Sequence, residues 1–117
     1  MAGSLTIQGQ LTGTTAGTQY IGPYTITPNA AGNFAVTETT LASGANTIAV
    51  PTWAAFCLIV PPVTNAVALT LKGVTGDTGI ALSPTVPSEL AFPATPPASF
   101  VVTAASLTTA PTSFIFS

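Results

Sequence analysis

Four side chains of this 117-residue chain are charged, Glu38, Lys72, Asp77 and Glu89, and the chain has no histidine and no arginine. Acid, base or metal chemistry must therefore be drawn from three carboxylates and the single thiol, Cys57. Two of the four charges, Lys72 and Asp77, lie five positions apart in "LTLKGVTGDTGIALSP" (Leu69 to Pro84). Asp77-Thr78-Gly79 has the residue types that hold a carboxylate in an acid-base dyad, where two such groups share one proton across a dimer axis. Two carboxylates on either side of a sugar bond can also hydrolyse it, one as acid and the other as base or nucleophile. Asp77 with Thr75 and Thr78 offers oxygens to a hard cation such as calcium, which takes several oxygen ligands.

Each reading has a plainer rival. The Asp-Thr-Gly triplet of aspartic proteases follows an apolar strand directly, whereas Val74-Thr75-Gly76 precedes Asp77 here, and the later apolar-glycine element of those enzymes is missing. It is thus a remote alternative that requires two Asp77 side chains to meet in a homodimer. Neither Glu38 nor Glu89 has a recognisable catalytic context, and one carboxylate with two threonines makes a thin calcium site. Histidine-based nucleophilic and zinc chemistry is excluded within a single chain. Gly73, Gly76 and Gly79 recur every third residue, too briefly for a triple helix, and the stretch lacks the lysine-serine/threonine ending of a phosphate-binding loop. The sequence therefore predicts no catalytic residue, no cofactor and no metal. Lys72, Gly73, Gly76, Asp77 and Gly79 form instead a glycine-built turn, in which Lys72 and Asp77 pair or Asp77 caps the turn through the loop's own backbone.

Composition narrows the class further. The chain is 47% hydrophobic and 3% charged, against about 25% charged for an ordinary soluble domain. One lysine cannot assemble the basic patch that nucleic-acid binding requires. The longest apolar run, Ala54 to Val60, ends at Pro61-Pro62, well short of the 18 or so residues of a spanning helix. The N-terminal "MAGSLTIQGQ" has neither the basic nor the apolar region of a secretory signal. Cys57 has no internal partner and apolar neighbours, so a buried thiol and assembly in a reducing cytoplasm are expected.

Short runs of strand-forming residues punctuated by glycine, proline and asparagine recur along the whole chain, predicting an all-β single domain. The expected architecture is an antiparallel sandwich of eight to ten short strands, either a jelly roll or an immunoglobulin-like Greek key. Strands are predicted at Ser4–Leu11, Gln19–Thr27, Asn33–Leu41, Asn46–Val50, Ala55–Val60, Ala66–Lys72, Gly79–Leu82, Glu89–Phe92, Ser99–Ala104 and Thr112–Phe116. Alternation in the sixth places Leu69 and Leu71 on one face and Thr70 and Lys72 on the other. "FPATPPASF" (Phe92 to Phe100) is too rich in proline for a central strand and reads as a stiff crossover. Residues 1–20 are expected to be a first strand or an arm that adds to a neighbour, with the sandwich in 21–117. Threonine surfaces are polar without being charged, and edge strands without charges lack the usual guard against pairing. Such a chain is expected to cover its surface with copies of itself.

The runs Asn46 to Pro51, Leu58 to Pro62 and Leu69 to Ile80 resemble small proteins encoded among the structural genes of tailed bacteriophages. The resemblance spans roughly residues 41 to 116 and implies a role as a virion structural protein, with other virion proteins as partners and no catalytic residues. It implies a tail or baseplate component, or alternatively a capsid decoration (cement) protein, assembled in the host cytoplasm. A rival of another class is a host-glycan-binding adhesion module, with Tyr20, Tyr24 and Trp53 as the aromatic contacts.

Overall fold

The computed structural model describes the backbone of residues 7–15 and 18–26, and residues 33–117 in full. All regular structure in these residues is β. Strands β1 (Ile7–Thr15) and β2 (Thr18–Ile26) pair with each other as a two-stranded antiparallel sheet. Pro23 can sit within β2 because both strands of a two-stranded ribbon are edges, where a missing N–H breaks no central ladder. The expected boundary between residues 20 and 21 falls within β2; residues 1–6 and 27–32, on either side of the hairpin, lie outside the described residues.

Eight further strands build two four-stranded sheets: β3 (Ala35–Thr39), β4 (Gly44–Ala49), β5 (Phe56–Val60), β6 (Leu69–Lys72), β7 (Ile80–Leu82), β8 (Ser88–Ala91), β9 (Ser99–Ala104) and β10 (Thr112–Phe116). One sheet has the order β3-β10-β5-β8 and the other β4-β9-β6-β7, with every neighbouring pair antiparallel. The hydrogen-bonded pairs include β3 with β10, β4 with β9, β5 with β8 and β6 with β7. These pairs nest: the eight strands are one long hairpin whose arms are β3–β6 and β7–β10, rolled so that successive pairs fall in alternate sheets. That is the jelly roll. The immunoglobulin alternative, which groups its strands as ABED and CFG, does not describe this order.

Alternation makes the two inner faces. Phe114, Phe116, Cys57 and Ile59 are buried in the first sheet, Ile48, Phe100, Val102, Ala104 and Leu69 in the second. Phe100 of β9 and Phe114 of β10 meet across the sandwich in a tilted arrangement, ring centroids 6.1 Å apart, within the range where aromatic pairs attract beyond their buried area. Leu71, Leu82, Leu90 and Phe92 pack against this core from its margins.

Strand ends differ from the sequence expectation where side chains recruit the backbone into loops. β6 begins at Leu69 and not Ala66, because the Val67 N–H donates to Asn65 Oδ1 within the preceding turn. Leu41, expected at the end of a strand, is instead fully buried beyond β3 and bonded to Thr108. The proline-rich connection after β8 crosses from the first sheet to the second, as its composition predicts.

Connections between strands gather at two ends. Loops 40–43, 61–68, 83–87 and 105–111 share one end; 50–55, 73–79 and 92–98 share the other. Hydrogen bonds tie each group: Thr108 to Leu41, Ala105 to Ala68 and Asn65 to Pro84 at the first end, Val50 to Ala98 and Phe92 to Ala55 at the second.

Candidate functional site

Loop 73–79 is built around the carboxylate of Asp77. Its Oδ2 accepts from the N–H groups of Gly73 at 3.1 Å and Val74 at 3.0 Å, while the Asp77 N–H donates to the Val74 carbonyl at 3.1 Å. A short acceptor that bonds local N–H groups is the usual reason aspartate occupies turns. Gly73 lets the carboxylate approach, since a Cβ there would lie 3.0 Å from Oδ2. Gly79 has φ of +81°, and a Cβ there would fall 2.6 Å from the Leu71 carbonyl oxygen, so backbone conformation and space both demand glycine. A Cβ on Gly76 would meet open space. Lys72 donates from Nζ to the Thr75 carbonyl at 3.5 Å, and no ion pair joins it to Asp77 among the described residues. Each charge serves the loop through backbone atoms, and cross-strand ion pairing plays no part in the register of β6 and β7.

The remaining carboxylates are dispersed. Glu38 lies on β3 and Glu89 on β8, the opposite edges of the first sheet, with β10 and β5 between them. Three inter-strand steps separate these strands by roughly 14 Å, beyond the ~5–9.5 Å at which two carboxyl groups flank one glycosidic bond. Asp77 stands in a loop of the other sheet. Among the described residues, no three histidine, cysteine, aspartate or glutamate side chains come together to hold a metal. Cys57 is fully buried; desolvation pushes its thiol up to about 12 from an ordinary 9.0, against the opposing effect of a hydrogen bond with the Ile115 backbone. A neutral thiol of this kind is a poor nucleophile. Trp53 packs against the core at the same end as the Asp77 loop, half-buried. The side chains of Tyr20 and Tyr24 lie outside the described residues.

The described sheet faces differ in character. On the second sheet, Ala45, Thr103, Thr70 and Ala81 form one cross-strand row, and Thr47, Val101 and Lys72 the next; the edge residues Ala45, Ala81 and Thr47 are exposed, whereas Val101 on the central strand β9 is buried. The first sheet is different: Val36, Ile115 and Leu58 run in register into Glu89, and Val60 and Ser113 into Glu38. This outer face is aliphatic with a glutamate at each edge. The expectation of wholly uncharged edges is corrected here, because the edge strands β3 and β8 carry one charge each, while β4 and β7 carry none.

The end formed by loops 40–43, 61–68, 83–87 and 105–111 contains no charged residue at all. Three of its loops present an aliphatic side chain to solvent: Val63 is 83% exposed, Val86 59% and Leu107 63%. These loops are far apart in sequence and come to one end only through the nested topology, which strand periodicity does not reveal. No helix among the described residues is long and apolar enough to cross a membrane. Comparison of the chain with protein families, with curated proteins and with solved structures gives no match.

Proposed function

We propose that the protein is a non-enzymatic structural subunit of a tailed-bacteriophage virion, a tail or baseplate-associated component, that acts by packing against copies of itself and against other particle proteins. The observation that carries this reading is the division of labour among its few charges. Asp77 and Lys72 serve a turn, Glu38 and Glu89 flank an aliphatic sheet face, and broad threonine, alanine and aliphatic surfaces remain without charge.

Ordinary surfaces keep proteins apart by mixed charge, and a chain that forgoes it favours assembly. The jelly roll is compatible with this role, since capsid proteins use it, but lectins and cupins use it too. Fold alone does not choose among them. The choice rests on the resemblance of residues 41 to 116 to phage structural proteins and on the surface. Cys57, buried and free, suits assembly in a reducing host cytoplasm.

Two measurements test the proposal. Light scattering on the purified chain should give a mass above that of one subunit, rising with concentration; a monomer throughout overturns self-association. Quantitative mass spectrometry of purified particles should find a few to a few dozen copies per particle. Hundreds of copies would favour capsid decoration, and none would overturn the virion assignment.

A further inference from the structure

Strands β1 and β2 form a sheet of their own, hydrogen-bonded to neither sheet of the sandwich. A ribbon of two strands leaves a free row of N–H and C=O groups along each, and such a hairpin is at best marginally stable without a third strand or a packing partner. The two rows are not equal. β2 carries Pro23, which suits an outermost strand, whereas β1 has neither proline nor charge along its nine residues. β1 is the strand whose free row is complete.

The sandwich has four free edges, and its ladders fix which residues turn their backbone groups outward on each, because antiparallel pairs alternate between bonded and non-bonded. The Val50 N–H donates to the Ala98 carbonyl in the register of β4 and β9. Asn46 and Ile48 therefore face β9, while Ala45, Thr47 and Ala49 face away from it, all three exposed. On β3 the bonds between Phe56 and Ser117 leave Val36 and Glu38 outward, and on β8 the bond from Phe92 to Ala55 leaves Glu89 and Ala91. Both of those edges hold their glutamate where an added strand would have to pair. On β7 the Ala105–Ala68 bond leaves Ala81 alone. β4 is thus the longest uncharged edge. Beside it runs an open groove of about 340 Å³, lined by Thr37 and Thr39 of β3 and by Asn46, Thr47, Ile48 and Ala49 of β4.

We propose that the hairpin of one copy adds through β1 to the β4 edge of a second copy, extending that sheet to the order β2-β1-β4-β9-β6-β7. The proposal rests on the self-associating role inferred above and names the segment and the edge that perform it. Main-chain bonds to Ala45, Thr47 and Ala49 supply the contact, and the groove offers room for alternate side chains of an added strand, the usual source of specificity in strand addition. A second copy is the partner because every copy carries both halves of the contact, and within one chain β1 and β4 stay unpaired with each other. Pro23 then ends the extended sheet on its outermost strand.

The test is sedimentation velocity on the full chain, comparing the wild type with three variants. Thr47→Pro removes an outward N–H and no bond to β9; Thr47→Lys adds the kind of charge that guards an edge; Ala81→Lys adds the same charge to the other uncharged edge, β7. Both Thr47 variants should weaken association at least about tenfold, and Ala81→Lys should leave it unchanged. Amide exchange on the wild type gives a readout that needs no variant: residues 7–15 and 44–49 should gain protection together as concentration rises. Association of both Thr47 variants at wild-type strength overturns this edge while leaving self-association standing. Equal weakening by Ala81→Lys overturns it as well, since charge and not the β4 ladder would then be responsible. Protection of residues 7–15 and 44–49 that is already complete at concentrations where the chain is monomeric places the hairpin on its own edge, and protection of 44–49 without 7–15 gives the edge another occupant; either overturns the proposal. A wild type that stays monomeric at every concentration overturns both readings together.

Discussion

Thr108 and Thr112 are both buried, yet their hydroxyls are in opposite situations. The Thr108 Oγ1 accepts from the Leu41 N–H and donates to the Leu41 carbonyl, whereas the Thr112 Oγ1 has no partner among the described residues. A buried hydroxyl without a bond bears its desolvation cost uncompensated. Thr108→Val should therefore destabilise the fold by about 1–3 kcal/mol, while the isosteric Thr112→Val should stabilise it by about 1 kcal/mol, both measured by urea denaturation. Cys57 supplies a pH dependence. Its thiol ionises near 9.0 when ordinarily solvated and only at about 12 in the fold, so the unfolded chain releases its proton first. The thiol's contribution to stability is whole below pH 9.0 and is lost progressively between 9.0 and about 12. Cys57→Ala should flatten the stability profile across that window, and the native thiol should stay inert to an aromatic disulfide reagent at neutral pH until denaturant is added.

Two glycines of the β6–β7 connection test how an element is terminated. Gly79→Ala forces a Cβ against the Leu71 carbonyl at a positive φ and should cost about 1–3 kcal/mol or more. Gly76→Ala meets open space and should leave the melting temperature nearly unchanged. Strands of this kind were legible in the sequence wherever alternation was clean and the flanks were turn residues: β9 and β10 occupy the predicted Ser99–Ala104 and Thr112–Phe116. Legibility failed where an asparagine competes for the backbone. Asn46 bonds the Ala42 N–H and the carbonyls of Ala42, Gly44 and Val102, starting β4 at Gly44 instead of Asn46. Asn65 does the same ahead of β6. Partners of this sort are a matter of three-dimensional neighbours, to which hydrophobic period is blind. In the Asp77 loop the residue types announced a turn, but two alternatives stood open, and only the placement of Oδ2 against the Gly73 and Val74 N–H groups separates capping from ion pairing.

At the scale of the whole molecule, a sandwich was legible from strand number and spacing, but which strands neighbour which was not. The jelly-roll order depends on pairings such as Ala35 with Phe116, and no local pattern encodes them. The same order has a kinetic meaning. Within the sandwich, β6 and β7 are the one hydrogen-bonded pair adjacent in sequence, joined by residues 73–79; the next pairs must close 61–87, then 50–98, then 40–111. Each later closure costs more chain entropy than the one inside it, and contacts of such long separation fold slowly, in milliseconds to seconds. The Asp77 turn is then where the chain first doubles back, and zippering proceeds outward from it. Asp77→Ala should slow refolding while barely changing unfolding, whereas Thr108→Val, which loosens the outermost closure, should chiefly speed unfolding. Stopped-flow fluorescence of Trp53 across a denaturant series separates the two. The aspartate in a triplet that looks catalytic would be, on this reading, a timekeeper for folding.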